Sequence, residues 1–188
     1  MRDARVLLVV LAAGCGGGGG SDDPQSRADA EARAAKAIDA LGGALMRELG
    51  AALAAGGPSA AIGVCSETAP RVAKSLGEPG LSVRRTTLRP RNPANAPDTY
   101  ERSVLDAWDR AGKADPVATV ADGPDGRELR LMRPIRVMPL CLSCHGPAGG
   151  IAPEVSAEIA KRYPLDMATG YRDGDLRGAF SVRVRLAR

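Results

Sequence analysis

Residues 141 to 145 read Cys141-Leu142-Ser143-Cys144-His145, and that histidine is the only one in the chain. No other stretch constrains the fold as tightly. Two thiols three positions apart with an imidazole directly behind them form the attachment pattern for a c-type haem. The thiols can make thioethers with the two vinyl groups on one edge of a porphyrin while the adjacent imidazole turns onto the iron. His145 is then the proximal ligand through one ring nitrogen, the other being free to donate to a carbonyl or to water.

Other uses of the same residues stay open. Cys141 and Cys144 can form a plain disulfide in an exported protein. A thioredoxin-like redox pair needs a strand leading into a helix that opens at Cys141, and the sequence shows none. Cys141, Cys144, His145 and Cys65 also make a chemically sensible zinc set, although three ligands within five residues crowd a tetrahedron.

The amino terminus sets the compartment. Arg2 and Arg5 precede the apolar run Val6 to Leu11, which leads into Ala12-Ala13-Gly14-Cys15. The run is too short to span a bilayer. Small residues directly before a cysteine resemble the bacterial lipobox, where the cysteine takes a diacylglycerol and the preceding peptide is removed; Ala12 departs from the usual leucine. Gly16 to Gly20 and Ser21-Asp22-Asp23 follow as a flexible polar tether. The expected organisation is a signal peptide over 1–14, an acylated Cys15 with its tether over 15–24, and one domain over 25–188. The expected location is exported and membrane-anchored through the lipid, facing the periplasm. Gly16 rather than aspartate after Cys15 tilts this toward the outer membrane. An ordinary secretory signal cut near the same place is the alternative.

With 188 residues, 44% of them apolar, the chain is large enough to bury a core without a disulfide lattice. No apolar run approaches the ~20 residues of a membrane span, and no repeat of about 20 to 50 residues is visible, which excludes multi-pass membrane proteins and solenoids. Arginine supplies 22 of the 26 basic residues, but these are scattered among 22 acids rather than ranked in a stripe with aromatics. No nucleic-acid partner is expected.

From Pro24 to Ala55, Ile38, Leu41, Leu45, Leu49 and Leu53 step by three or four, as in an amphipathic helix. Gly56-Gly57-Pro58-Ser59 ends it. Ser59 can cap a second helix burying Ile62, Cys65, Ala69, Val72 and Leu76, kinked or restarted at Pro70, which lacks an N–H. Leu81 to Leu88 reads as a strand, and Arg89 to Pro97, with three prolines, as an irregular loop. Asp98 and Glu101 make a capping box for a helix with Val104, Leu105, Trp108 and Ala111 inward and Gly112 behind it. Val117 to Val120 and Glu128 to Val137 flank Asp122-Gly123-Pro124-Asp125-Gly126, an antiparallel hairpin in which Pro134 demands an edge position or a bulge. Phe180, Val182, Val184 and Leu186 alternate with polar residues, predicting a strand with one face in the core and one in solvent. The expected fold class is α+β, an antiparallel sheet with helices on one side.

One histidine excludes bis-histidine ligation within a monomer. The soft side chains left for the sixth position are Met46, Met132, Met138, Met167 and Cys65. Met167, 22 residues beyond His145, would give a conventional His/Met electron carrier. Cys65 is the odd thiol once Cys15, Cys141 and Cys144 are assigned. For the haem propionates, Arg89, Arg91 and Asn92 are the candidates, because so proline-rich a loop is too stiff to be mere spacer.

The chain resembles single-haem c-type domains with a PAS-like fold, which occur as stand-alone proteins and as sensor modules ahead of kinases and chemoreceptors. The resemblance spans about residues 35 to 188. It rests on Ala61-Ile62-Gly63-Val64-Cys65 with Ala69-Pro70, on Arg84 to Asn95, on Pro134-Ile135, on Cys141 to Gly146, on Tyr163 to Asp166 with Ala168 to Tyr171, and on Gly174 to Ala179. Arg84 departs from the glycine frequent in that family, and no transmitter module follows Arg188. The family implies a haem held by the CxxCH and ligated by its histidine and a helix cysteine, here His145 and Cys65. A thiolate ligand implies a low reduction potential, suited to sensing redox state or a diatomic gas through another signalling or redox protein, or to passing single electrons. Two strong protein ligands and no second histidine argue against a haem enzyme.

Overall fold

The computed structural model describes residues 24–64 and 68–186, so the amino-terminal segment with Cys15, and Cys65, lie outside the described residues. Helix α1 (Pro24–Gly63) follows the stepped apolar stripe. The expected stop at Gly56-Gly57 is a kink, with Gly57 at φ 69° where only glycine sits without strain, and the helix resumes beyond it. Its buried face, Ala30, Ala34, Ala37, Ile38 and Leu41, packs on one side of the sheet. Helix α2 (Ala69–Ser75) starts with Pro70 in its first turn, where a missing N–H costs nothing.

Four antiparallel strands form the sheet in the order β1-β4-β3-β2: β1 (Leu81–Thr86), β2 (Val117–Gly123), β3 (Gly126–Arg136) and β4 (Leu176–Arg185). Leu81, Val83, Leu129, Val182 and Val184 face α1. The expectation of a solvated second face is corrected. Helix α3 (Thr99–Ala111) lays Leu105 and Trp108 on Met132 and Ala179, so Ala179 and Ser181 of β4 are buried as well. Helices therefore cover both faces, because β4, last in sequence, is central in space. Pro134 likewise lies in a central strand, not at an edge. The register shifts directly after it, between Ile135 and Arg136, so the irregularity it demands takes the form of a bulge.

The capping box is formed. Asp98 accepts the Glu101 N–H at 2.8 Å, and Glu101 accepts the Asp98 N–H at 3.0 Å. The same Asp98 carboxylate takes Arg130 and Arg183, each at 2.5 Å, and so ties α3 to β3 and β4. Burial works against this charge, but the Glu101 N–H and the two guanidinium groups outweigh it and hold the carboxyl below the usual 3.8. A depressed carboxyl contributes stability that is complete above its ordinary value and is lost as pH falls through the folded one. Denaturant titrations should therefore show a steeper loss of stability below about pH 4 in the wild type than in Asp98→Ala, which at neutral pH should be less stable by about 2 kcal/mol. Parallel pH profiles for the two proteins would refute the tie.

Past the hairpin the chain makes a 3-10 turn (Pro139–Cys141), the single-turn helix α4 (Leu142–His145) and helix α5 (Pro153–Arg162). Val155 and Ile159 of α5, with Tyr163, pack on Ile62 at the far end of α1.

Candidate functional site

A cavity of about 340 Å³ opens between the second half of α1 and the sheet face, within the ~300–1,000 Å³ usual for cofactor and small-molecule sites. Leu45, Leu49 and Leu53 of α1 form one wall and Ile135 and Phe180 the other. Gly178 on β4 lies at its floor, close against Thr86 and Thr87 of the neighbouring chain segment. Cys141, Cys144 and His145 border this same space. The turn and α4 wind the pentapeptide helically, which brings residues three apart to one side.

A strap from Tyr163 to Tyr171 fixes the histidine. Its Nδ1 lies 2.7 Å from the Ala168 carbonyl oxygen, which can only accept, so Nδ1 carries the proton and Nε2 keeps its lone pair. The backbone is pinned on both sides, with Gly170 N–H donating to Gly146 and Tyr171 N–H to His145. The Tyr171 ring meets the imidazole edge-on at 6.4 Å. Burial, then the positive charges of Arg177 and Arg91, push the His145 pKa down to about 3 against the pull of the Ala168 carbonyl and Asp166. The ring is neutral at physiological pH, as a metal ligand must be.

Arg91 and Asp166 hold the strap. Arg91 is 4% exposed, pairs with the carboxylate at 3.0 Å and donates to the Cys144 carbonyl at 2.6 Å. Asp166 also accepts the Ala168 N–H at 3.0 Å. One ion pair thus spans the loop before α3, the pentapeptide and the carbonyl that orients the imidazole.

The wall fits a haem. Two thiols and a neutral imidazole with one nitrogen already satisfied border a largely apolar slot, and a buried polar atom of a lining residue, Arg91 Nη1, has no partner among the described residues. Such atoms mark a place where a ligand is expected. Cys141 and Cys144 are not bridged to each other. Among the described residues no three His, Cys, Asp or Glu are grouped to hold a metal ion; the zinc set would need Cys65, which lies outside them.

Two of the three expected propionate residues do not line the cavity. Arg89 donates to the carbonyls of Met167 and Thr169 and lies 4.3 Å over the Tyr171 ring. Asn92 caps the 3-10 turn Pro93–Asn95 through the Ala94 N–H. Arg91 does border the space, although most of its donors serve Asp166 and the Cys144 carbonyl. Met167 is 54% exposed and outside the wall, whereas Met46 and Met138 are part of it. Residues that the sequence did not single out, Arg85, Arg136, Arg177 and Asn95, complete the lining. No local pattern marks them, because strand pairing and chain reversal bring them together.

A family model described as Tll0287-like matches residues 22–185. Among solved structures, the crystal structure of the cyanobacterial heme-protein Tll0287 is similar, with a TM-score of 0.54 and 30% identity over 66% of this chain and 73% of that one. No curated protein matches.

Proposed function

This chain belongs to the Tll0287-like family, and from that premise we propose that it is a haem-binding, cytochrome-like protein carrying one covalent haem c. Cys141 and Cys144 would form the thioethers, and His145 and Cys65 would ligate the iron. The observation that carries this reading is the shared wall, in which both thiols and the only histidine border one cavity, with His145 Nδ1 committed to the Ala168 carbonyl. Support for Cys65 comes from its described neighbours, since Ile62, Val64 and Ala69 all line the cavity.

A bound haem would supply a one-electron iron couple and a metal centre able to take a diatomic gas. The protein's own part is to orient and to insulate. The Ala168 carbonyl holds the imidazole tautomer, the α1 leucines exclude water, and a Cys65 thiolate would favour the oxidised state and lower the potential. The role is non-enzymatic: redox or small-ligand sensing, or single-electron transfer, with an unidentified redox or signalling protein as partner. The body is PAS-like in this reading and tethered through a lipid on Cys15, facing the periplasm. Support for the anchor is the amino-terminal motif alone. No helix among the described residues is long and apolar enough to cross a membrane.

The test is the pyridine haemochrome and ferric absorption spectrum of protein made in a host with c-type maturation, for wild type beside Cys65→Ser. The expected result is covalent haem in both and loss of low-spin thiolate features in the variant. An unchanged spectrum would move the sixth ligand to Met46 or Met138. Absence of covalent haem in the wild type would end the haem reading.

A further inference from the structure

The cavity has a chemical character that the thiols and imidazole leave unused. Arg85, Arg91, Arg136 and Arg177 all border it, and none of the described lining residues is an aspartate or glutamate. Arg85 and Arg91 lie close enough to Arg177 for their charges, after burial, to lower its pKa. Asp166 is committed to Arg91. Among the described residues Arg177 has only neutral partners, the Thr87 hydroxyl at 3.1 Å, the Arg89 carbonyl at 3.2 Å and the Tyr171 ring at 5.3 Å. Arg85 shares its strand face with Leu81 and Val83, which puts it on the α1 side, yet its guanidinium has no hydrogen-bond or ion-pair partner among the described residues. Arg91 Nη1 is buried without an acceptor among the described residues.

Buried positive charge in excess of its counter-charge is unfavourable unless a ligand brings the anion. Guanidinium groups match carboxylates bidentately. We propose that Arg85 and Arg177, with the unused Nη1 of Arg91 beside them, form a clamp for two carboxylate groups on the ligand that fills the cavity. This rests on the haem reading, in which those carboxylates are the two propionates. The clamp replaces Arg89 and Asn92 in that role.

Its test uses the covalent holoprotein and spectroelectrochemical titration from about pH 5 to 8. A propionate paired with a guanidinium stays ionised through that range, so the wild-type potential should be flat. Once unpaired in a buried site its pKa rises, and the potential then acquires a pH-dependent segment. Arg85→Gln should show that segment and a more negative potential at pH 8, Arg85→Lys should restore most of the wild-type curve, and Arg47→Gln, an exposed α1 arginine outside the wall, should overlay it. Since Arg85 has no partner among the described residues, its loss strands none of their polar groups. If Arg85→Gln retains haem and its curve overlays the wild type, and Arg177→Gln does the same, the clamp is overturned while the haem reading stands. A wild type without haem overturns both.

Discussion

Asp166→Ala is expected to lower the unfolding free energy by about 3–5 kcal/mol, because it strands the buried Arg91 guanidinium without its counter-charge. Three consequences follow from the contacts. Arg91 loses its charge-assisted bonds, the Ala168 N–H loses its acceptor, and the carbonyl that holds His145 Nδ1 is no longer fixed. In the holoprotein the same substitution should broaden the low-spin spectrum and shift the potential, since the proximal imidazole then samples several orientations. A structural role elsewhere would lower stability without moving the spectrum. The double variant Asp166→Ala/Arg91→Met, which removes both charges, should recover part of the stability and little of the spectrum. Chemical denaturation of the three proteins checks the first claim; a loss under about 1 kcal/mol in the single variant would show that the pair is solvated.

Gly178→Ala carries the other large effect. Gly178 has φ 151°, in the region only glycine occupies freely, and a Cβ built there would fall on the Thr86 carbonyl oxygen and within 2.9 Å of the Thr87 Cβ. Neither neighbour is a flexible side-chain end, so β1 would have to separate from β4 at the cavity floor. A loss of about 3 kcal/mol or more is expected, with weaker haem retention after maturation. Thermal melts and the haem-to-protein absorbance ratio give the answer. Wild-type values for both would mean that the strands can part without cost.

The features legible in the sequence are those whose chemistry is local. The pentapeptide, the capping box at Asp98, the turn at Gly123-Pro124-Asp125-Gly126 and the alternation of Val182 and Val184 each lie within a dozen residues and can be read without knowing the rest. Errors begin where a second element decides. The alternation in β4 suggested a wet face, but α3 covers it, and whether a helix lies over a strand is not written in the strand. Helix α5 offers only Val155 and Ile159, too few apolar positions to stand out. The arginines of the cavity wall were hard to read for the same reason: Arg89 sits in a stiff loop beside the site and donates to the strap carbonyls, whereas Arg85 borders the cavity from a strand whose sequence looks like any half-buried edge. The Arg91–Asp166 pair joins residues far apart in the chain, so no spacing announces it.

The position of β4 sets an order of events. It follows the other three strands of the sheet along the chain, yet β1 has no other partner in the sheet and β3 depends on it for one of its two edges. Joining β1 to β4 means closing a loop of about a hundred residues, the slowest kind of contact to make. Until then the floor at Gly178 and the strap before it have nothing to rest on, and Cys141 and Cys144 ride on an open peptide. Enclosure is therefore late by construction: the thiols are accessible early in the life of the molecule, and the pocket that shelters them is among the last things it builds.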